Sequence, residues 1–169
     1  ELEKYKSTLE EFDVLIHLAS KIDVDHDILK SGVTSIDLNI SGTLNLLEYL
    51  PNLKHICYTS TYMVYGTPNT NPITESIPTE PDNVYGASKL ATEKFLQIFA
   101  QQRDVKLSIL RLMGVYDLEK PYAQAIPSFV KLMVNDERPM IYGTGETRRN
   151  HIHVDDVVKS ICTNVDKPT

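Results

Sequence analysis

Short apolar runs alternate along this chain with longer stretches in which apolar residues recur at helical spacing. Asp13-Val14-Leu15-Ile16-His17-Leu18-Ala19 has the length and apolar density of a buried strand, as do His55 to Thr59 and Lys106 to Leu112. Between the first two runs, Ile36, Ile40, Leu44 and Leu47 fall on one helical face and Pro51 follows, which predicts a helix over about 36–50. A second helix is predicted over about 84–102, with Ala87, Ala91, Phe95, Ile98 and Phe99 as its apolar stripe. Residues 1–12 are charged and helix-prone, and 127–134 read as a short helix. Residues 140–142 and 151–154 read as short strands, and Asp155 is expected to cap a last helix reaching about Asn164. Gly66 to Asn83 is a loop rich in Pro, Thr and Asn, whose Glu75, Glu80 and Asp82 fit a solvated lid segment. Near-continuous apolar strands separated by helices imply an α/β fold with a parallel sheet covered on both faces. Such sheets bind ligands beyond the carboxyl ends of their strands, here just after Leu18, Tyr58 and Leu112.

Composition narrows the function classes. The 169 residues are 41% hydrophobic and 24% charged, enough for a domain with a sizeable core. No run of eighteen apolar residues and no basic leader before an apolar stretch occur, so no membrane partner and no signal peptide are expected. The net charge of −6 argues against a nucleic-acid partner, which favours a basic face. Cys57 and Cys162 both lie in apolar sequence surroundings and read as buried, reduced thiols, which points to the cytoplasm. Seven glycines is few, since about twelve would be usual at this length.

The chemistry centres on Tyr85-Gly86-Ala87-Ser88-Lys89. A tyrosine and a lysine one turn apart share a helix face. An ammonium near a phenol favours the phenolate, and a phenol so tuned can exchange a proton with a sugar hydroxyl. Alone, the pair is better read as part of a solvated helix face. The hydroxyl-rich Thr59-Ser60-Thr61-Tyr62-Met63-Val64-Tyr65-Gly66 follows the second strand, where a hydroxyl could orient the same substrate oxygen. His151 and His153 share one side of a strand but have no evident third ligand, so no metal is expected. Asp23-Val24-Asp25-His26-Asp27 lacks the glycine and distal glutamate of a calcium loop and reads as a solvated turn.

With these pieces placed, the chain resembles the extended short-chain dehydrogenases/reductases, specifically the NAD-dependent nucleotide-sugar epimerases and dehydratases. The matching segments stand in family order: Phe12 to Ser20, Asn39 to Glu48, Thr59 to Gly66, Tyr85 to Lys89, Arg111 to Tyr116, Ile126 to Phe129, Ile141 to Gly145 and Arg149 to Asp156. The resemblance implies a Rossmann-like doubly wound parallel sheet with part of a small substrate-binding domain. The expected division is 1–118 partial NAD-binding domain, 119–154 part of the sugar-nucleotide domain, and 155–169 a helix returning to the first. It implies Tyr85 as the acid/base at C4 of the sugar, Lys89 lowering the Tyr85 pKa and holding the nicotinamide ribose, and Thr61 as the catalytic hydroxyl. It places Ala19, Ser20, Asn39 and Thr59 beside NAD, with NADP as an alternative, together with Tyr85 and Lys89. Thr61, Gly114 and Arg149 would contact the nucleotide-sugar. A homodimer through the helix bearing the Tyr-Lys pair is also implied, with Leu90 and Leu96 as candidate contacts.

Departures from the family shape the expected reaction. Tyr62 and Met63 stand where sugar 4,6-dehydratases carry acid/base side chains. Methionine cannot transfer a proton, so epimerisation by transient oxidation at C4 is favoured over a dehydratase or reductase. A non-catalytic Rossmann-like binding module is the alternative outside the enzymes. Gly114 replaces a usual asparagine, Asn150 a usual aspartate and His151 a usual aromatic. None of the seven glycines forms the family's Gly-x-x-Gly-x-x-Gly, so the chain reads as the middle of a longer enzyme, lacking the first strands and the phosphate loop. Calorimetry should therefore find that these 169 residues bind NAD more weakly than micromolar. Micromolar binding would overturn that expectation.

Overall fold

A computed structural model describes residues 2–22, 28–118, 125–146 and 148–166. The Asp23 to Asp27 turn lies outside them. The chain divides into two compact units, Glu1–Arg111 with Thr163–Thr169, and Leu112–Cys162.

The first unit is built on a three-stranded sheet in the order β1-β2-β3. β1 (Val14–His17) runs parallel to β2 (His55–Thr61), with Val14 opposite His55 and His17 opposite Tyr58. β3 (Lys106–Leu112) flanks β2 on its other side. The central β2 is buried at every position except the half-buried Thr59, which is why it reads as a continuous apolar run rather than an alternating one. Leu47, Leu50, Leu53, Ile56, Tyr58, Leu96, Ala100 and Val105 form the core.

The predicted 36–50 helix begins earlier. α2 (Ile28–Ser35) passes into a π-helical turn (Ile36–Ser41) and then α3 (Gly42–Glu48), preceded in the chain by a short α1 (Lys6–Leu9). The periodicity misses α2 because its pattern is inverted. Ser31 and Ser35 are buried, whereas Ile28, Leu29 and Val33 are exposed.

The same inversion overturns the stripe expected on α4 (Val84–Arg103). Phe95 and Ile98 are exposed, and the buried face instead carries Tyr85, Gly86, Ser88, Lys89, Thr92, Glu93, Leu96 and Ala100. Leu96 is wholly buried, so it is core and not a dimer contact. The Asn83 side chain caps α4 by accepting from the Gly86 N–H at 2.8 Å, and Asp104 ends it in the left-handed region at φ 54°.

In the second unit, β4 (Val115–Tyr116) pairs in parallel with β5 (Ile152–His153). A two-residue strand is too short to show periodicity, so β4 escapes the sequence pattern. Residues 140–142, read as a strand, form none, and Met140, Ile141 and Tyr142 are exposed. α5 (Ala125–Val134) and α6 (Val154–Asp166) complete the described elements. Asp155 lies inside the first turn of α6 rather than before it, and its N–H donates to His153 Nδ1 at 3.2 Å. Cys57 is buried as expected, but Cys162 is exposed, on the outer side of α6 from the buried Val157 and Ile161.

Removing a wholly buried side chain leaves a cavity, whereas trimming a half-exposed one does not. Leu96→Ala should therefore lower the unfolding free energy by about 2–5 kcal/mol and Ile98→Ala by less than about 1 kcal/mol, as read by urea denaturation.

Candidate active site

The site is assembled at the carboxyl ends of β1 and β2, where the strand pattern places it. His17 ends β1 and is buried, its Nε2 2.7 Å from the Thr43 hydroxyl and its ring 5.5 Å from that of Tyr58. Burial, with the Lys89 charge adding to it, lowers its pKa to about 4. The Thr59 hydroxyl donates to the His17 carbonyl at 3.2 Å and so ties the two strand ends together. Beyond β1, Ala19 is exposed and Ser20 half-buried.

Asn39 holds that segment in place. Its Oδ1 accepts from the Lys21 N–H at 2.8 Å and the Ser20 hydroxyl at 3.2 Å. Its Nδ2 donates to the Lys21 carbonyl at 3.0 Å and the Ser88 hydroxyl at 2.9 Å. The carboxamide is thus fully used within the protein, and what it offers a ligand is the placement of Ser20 against α4. Asn39 lies in the π-helical turn, which also presents its backbone carbonyl to α3 and α4. The carbonyl accepts from the hydroxyls of Thr43 at 2.7 Å and Thr92 at 3.1 Å.

Tyr85 and Lys89 lie one turn apart on the buried face of α4, as their spacing requires. Lys89 is 1% exposed, and its Nζ stands 4.1 Å from the centroid of the Tyr58 ring. Among the described residues its ammonium meets this ring and no hydrogen-bond acceptor, which leaves its N–H groups for a ligand. Burial lowers the Lys89 pKa to about 8, with the Glu93 carboxylate acting in the opposite direction. The Tyr85 phenol differs from the sequence expectation. Burial raises its pKa, and the influence opposing that rise is the Ser20 hydroxyl rather than Lys89.

Thr61 ends β2 and caps a 3-10 turn (Tyr62–Tyr65), its hydroxyl oxygen accepting from the Met63 N–H at 3.3 Å. α4 packs directly on that turn at Gly86, where a Cβ would come within 2.5 Å of the Met63 carbonyl oxygen. Glycine is therefore the residue that allows Tyr85 to approach the segment following Thr61.

The first unit thus gathers Ser20, Asn39, Thr59, Thr61, Tyr85 and Lys89. Gly114 and Arg149 belong to the second unit. Gly114 has φ +41°, and a Cβ there would lie 2.5 Å from the Asn150 carbonyl oxygen and 2.9 Å from His151 Nδ1. The structure has no room for a side chain at that position. Arg149 is exposed.

One cluster escaped the sequence reading. Glu93 is wholly buried and accepts a fork from Arg111, Nη2 to Oε2 at 2.7 Å and Nε to Oε1 at 3.1 Å, while the Ser60 hydroxyl donates to Oε1. Arg111 Nη1 also donates to the Tyr65 hydroxyl at 2.7 Å. A glutamate two turns beyond Tyr85 on a predicted helix was the available signal, but its charge marks it as solvated by pattern alone.

The first unit is thus an α/β unit with a buried tyrosine and lysine on one helix and a threonine at the end of its central strand. The model of the NAD dependent epimerase/dehydratase family matches residues 1–169. A dTDP-D-glucose 4,6-dehydratase of Dictyostelium discoideum is 33% identical over 164 residues, covering 89% of this chain and 38% of its own length. The UDP-N-acetylglucosamine 4-epimerase from Methanobrevibacter ruminantium M1, solved with UDP-N-acetylmuramic acid, has a TM-score of 0.84 at 28% identity, over 97% of this chain and 55% of its own. The UDP-glucuronic acid 4-epimerase from Bacillus cereus, solved with NAD, has a TM-score of 0.82 at 25% identity, over 97% and 52%. The chain belongs to the NAD dependent epimerase/dehydratase family and has its Rossmann-like fold. It spans about half or less of the length of the curated relatives it matches, 52% and 38% in two cases.

The Lys89 pKa has a consequence for stability. The unfolded chain keeps the lysine proton up to about 10.5 and the folded chain to about 8, so the unfolded state binds more protons between those values. Stability therefore gains a contribution as pH rises from 8 towards 10. The Cys57 thiol, pushed up by burial, works in the opposite direction, so urea denaturation should show the Lys89 contribution as a stability difference between the original chain and Lys89→Met that grows as pH rises from 8 towards 10.

Proposed function

We propose that this protein acts in NAD-dependent epimerisation of a nucleotide-sugar, by transient oxidation at C4 of the sugar. The observation that carries the reading is the shared buried face of Tyr85 and Lys89, packed at Gly86 on the turn that Thr61 caps. Tyr85 would take the hydroxyl proton and later return it, and Thr61 would orient the same oxygen. A phenol raised by burial needs a positive neighbour to ionise, and Lys89, with no hydrogen-bond acceptor among the described residues, is placed to serve once a ligand is bound. Ser20, Thr59 and Lys89, with the backbone at Ala19, would hold the nicotinamide end of the cofactor. NAD, when bound, supplies the hydride acceptor and donor. A guanidinium suits a diphosphate, so Arg149 would pair with the nucleotide, beside the backbone at Gly114.

Relatives of both kinds, epimerases and dehydratases, match this chain. Met63 favours the epimerase, because a thioether cannot carry the proton that water elimination needs. A homodimer fits the exposed apolar residues Phe95 and Ile98 on α4, and a cytoplasmic setting fits the buried free thiol of Cys57.

The test is turnover of UDP- and dTDP-hexoses by the complete protein with NAD, following products by NMR. The expected product is the C4 epimer, and a 4-keto-6-deoxy sugar would overturn the reading. Tyr85→Phe should reduce the rate by about 100- to 10,000-fold, whereas His153→Ala should leave it near the original.

A further inference from the structure

The Glu93 cluster has no part in the proton and hydride chemistry, yet its carboxylate is wholly buried. Glu93 is 0% exposed and sits one turn after Lys89 on the same face of α4. Its two carboxylate oxygens are held from two different strands. Arg111 on β3 forks both of them, and Ser60 on β2, the residue before Thr61, donates to one. Arg111 in turn stacks over the Tyr65 ring, 4.9 Å from its centroid, and binds the Tyr65 hydroxyl in the turn that follows Thr61. Every element that presents a candidate catalytic group is therefore fastened to this carboxylate or to its arginine.

We propose that Glu93 is a positioning residue, which fixes α4 against β2 and β3 and supplies the buried negative charge that keeps Lys89 an ammonium. It deepens the epimerase reading and rests on it for the part Lys89 plays in turnover, but the electrostatic link itself requires no ligand. The groups around Lys89 agree with the assignment. β1 presents His17, whose low pKa keeps it neutral above about 4. β2 presents Tyr58, a phenol raised by burial and therefore also neutral. α4 itself presents Tyr85, raised in the same way, and Glu93. The π-helical turn places Asn39 inward and leaves Asp37 exposed. The 3-10 turn contributes Tyr65, which is engaged with Arg111. Glu93 is thus the negative charge that acts on Lys89, and Arg111 forks the same carboxylate from β3.

The experiment is a direct titration of the Lys89 side chain by NMR of lysine carrying a carbon-13 label next to Nζ, in the original chain and in Glu93→Gln. The glutamine keeps the shape and one acceptor oxygen, removes the charge and turns the other prong into a donor. The midpoint should fall by about one pH unit in Glu93→Gln and return towards the original in Glu93→Asp. An unmoved midpoint in folded Glu93→Gln overturns the proposal. Should Glu93→Gln fail to fold, Glu93→Gln with Arg111→Met removes the unpaired guanidinium as well, and the same shift or its absence decides. The titration uses neither cofactor nor sugar, so failure of the epimerase reading leaves its outcome intact. In the complete protein, the alkaline limb of the rate profile should move to lower pH by the same interval as the Lys89 midpoint.

Discussion

Burial of the polar face of α4 is the constraint on which the first unit depends. Ser88, Lys89, Thr92 and Glu93 are all within 5% exposure, in a place where a helix of this length would ordinarily present leucines. Each must find a partner, because a buried polar group without one costs on the order of 1–3 kcal/mol. Ser88 and Thr92 find theirs in Asn39, Glu93 finds Ser60 and Arg111, and Lys89 rests on the face of Tyr58. Leu96 and Ala100, further along the same face, join the apolar core that offsets this cost.

That seam also explains two backbone choices. The π-helical turn at Ile36–Ser41 brings the Asn39 carbonyl and carboxamide to the same seam, where they meet hydroxyls from α3 and α4. Gly86 removes the Cβ that would otherwise hold α4 away from the turn after Thr61. Both devices bring donors and acceptors from separate segments to hydrogen-bonding distance. On the buried face of α4, Lys89 keeps N–H groups that meet no acceptor among the described residues, which is what a ligand site requires.

In the second unit the constraint is steric. Gly114, at φ +41°, accepts the Ile152 N–H at 3.3 Å and lies against Asn150 and His151 without space for a Cβ. The exchange of the family's asparagine for glycine here is therefore matched by the local packing, and His151 and His153 flank the Tyr116 ring edge-on. The two histidines are accounted for as ring contacts of β4 and β5.

The sequence by itself determined the three strands of the main sheet, the extent of α4 and that Tyr85 and Lys89 share one face of it, because these follow from local periodicity and from spacing along one helix. Its motifs also placed the chain in its family. Only the tertiary structure decided which face of α4 is inside, that α2 precedes the predicted helix, and that Glu93, Arg111, Ser60 and Tyr65 form one cluster. The apolar stripe of α4 pointed the wrong way because hydrophobic patterning assumes that charges face water. Glu93 and Lys89 break that assumption through partners on β2 and β3, remote in sequence. The Tyr85 phenol shows the same limit: its spacing from Lys89 is local, but the burial that raises its pKa comes from the fold around it.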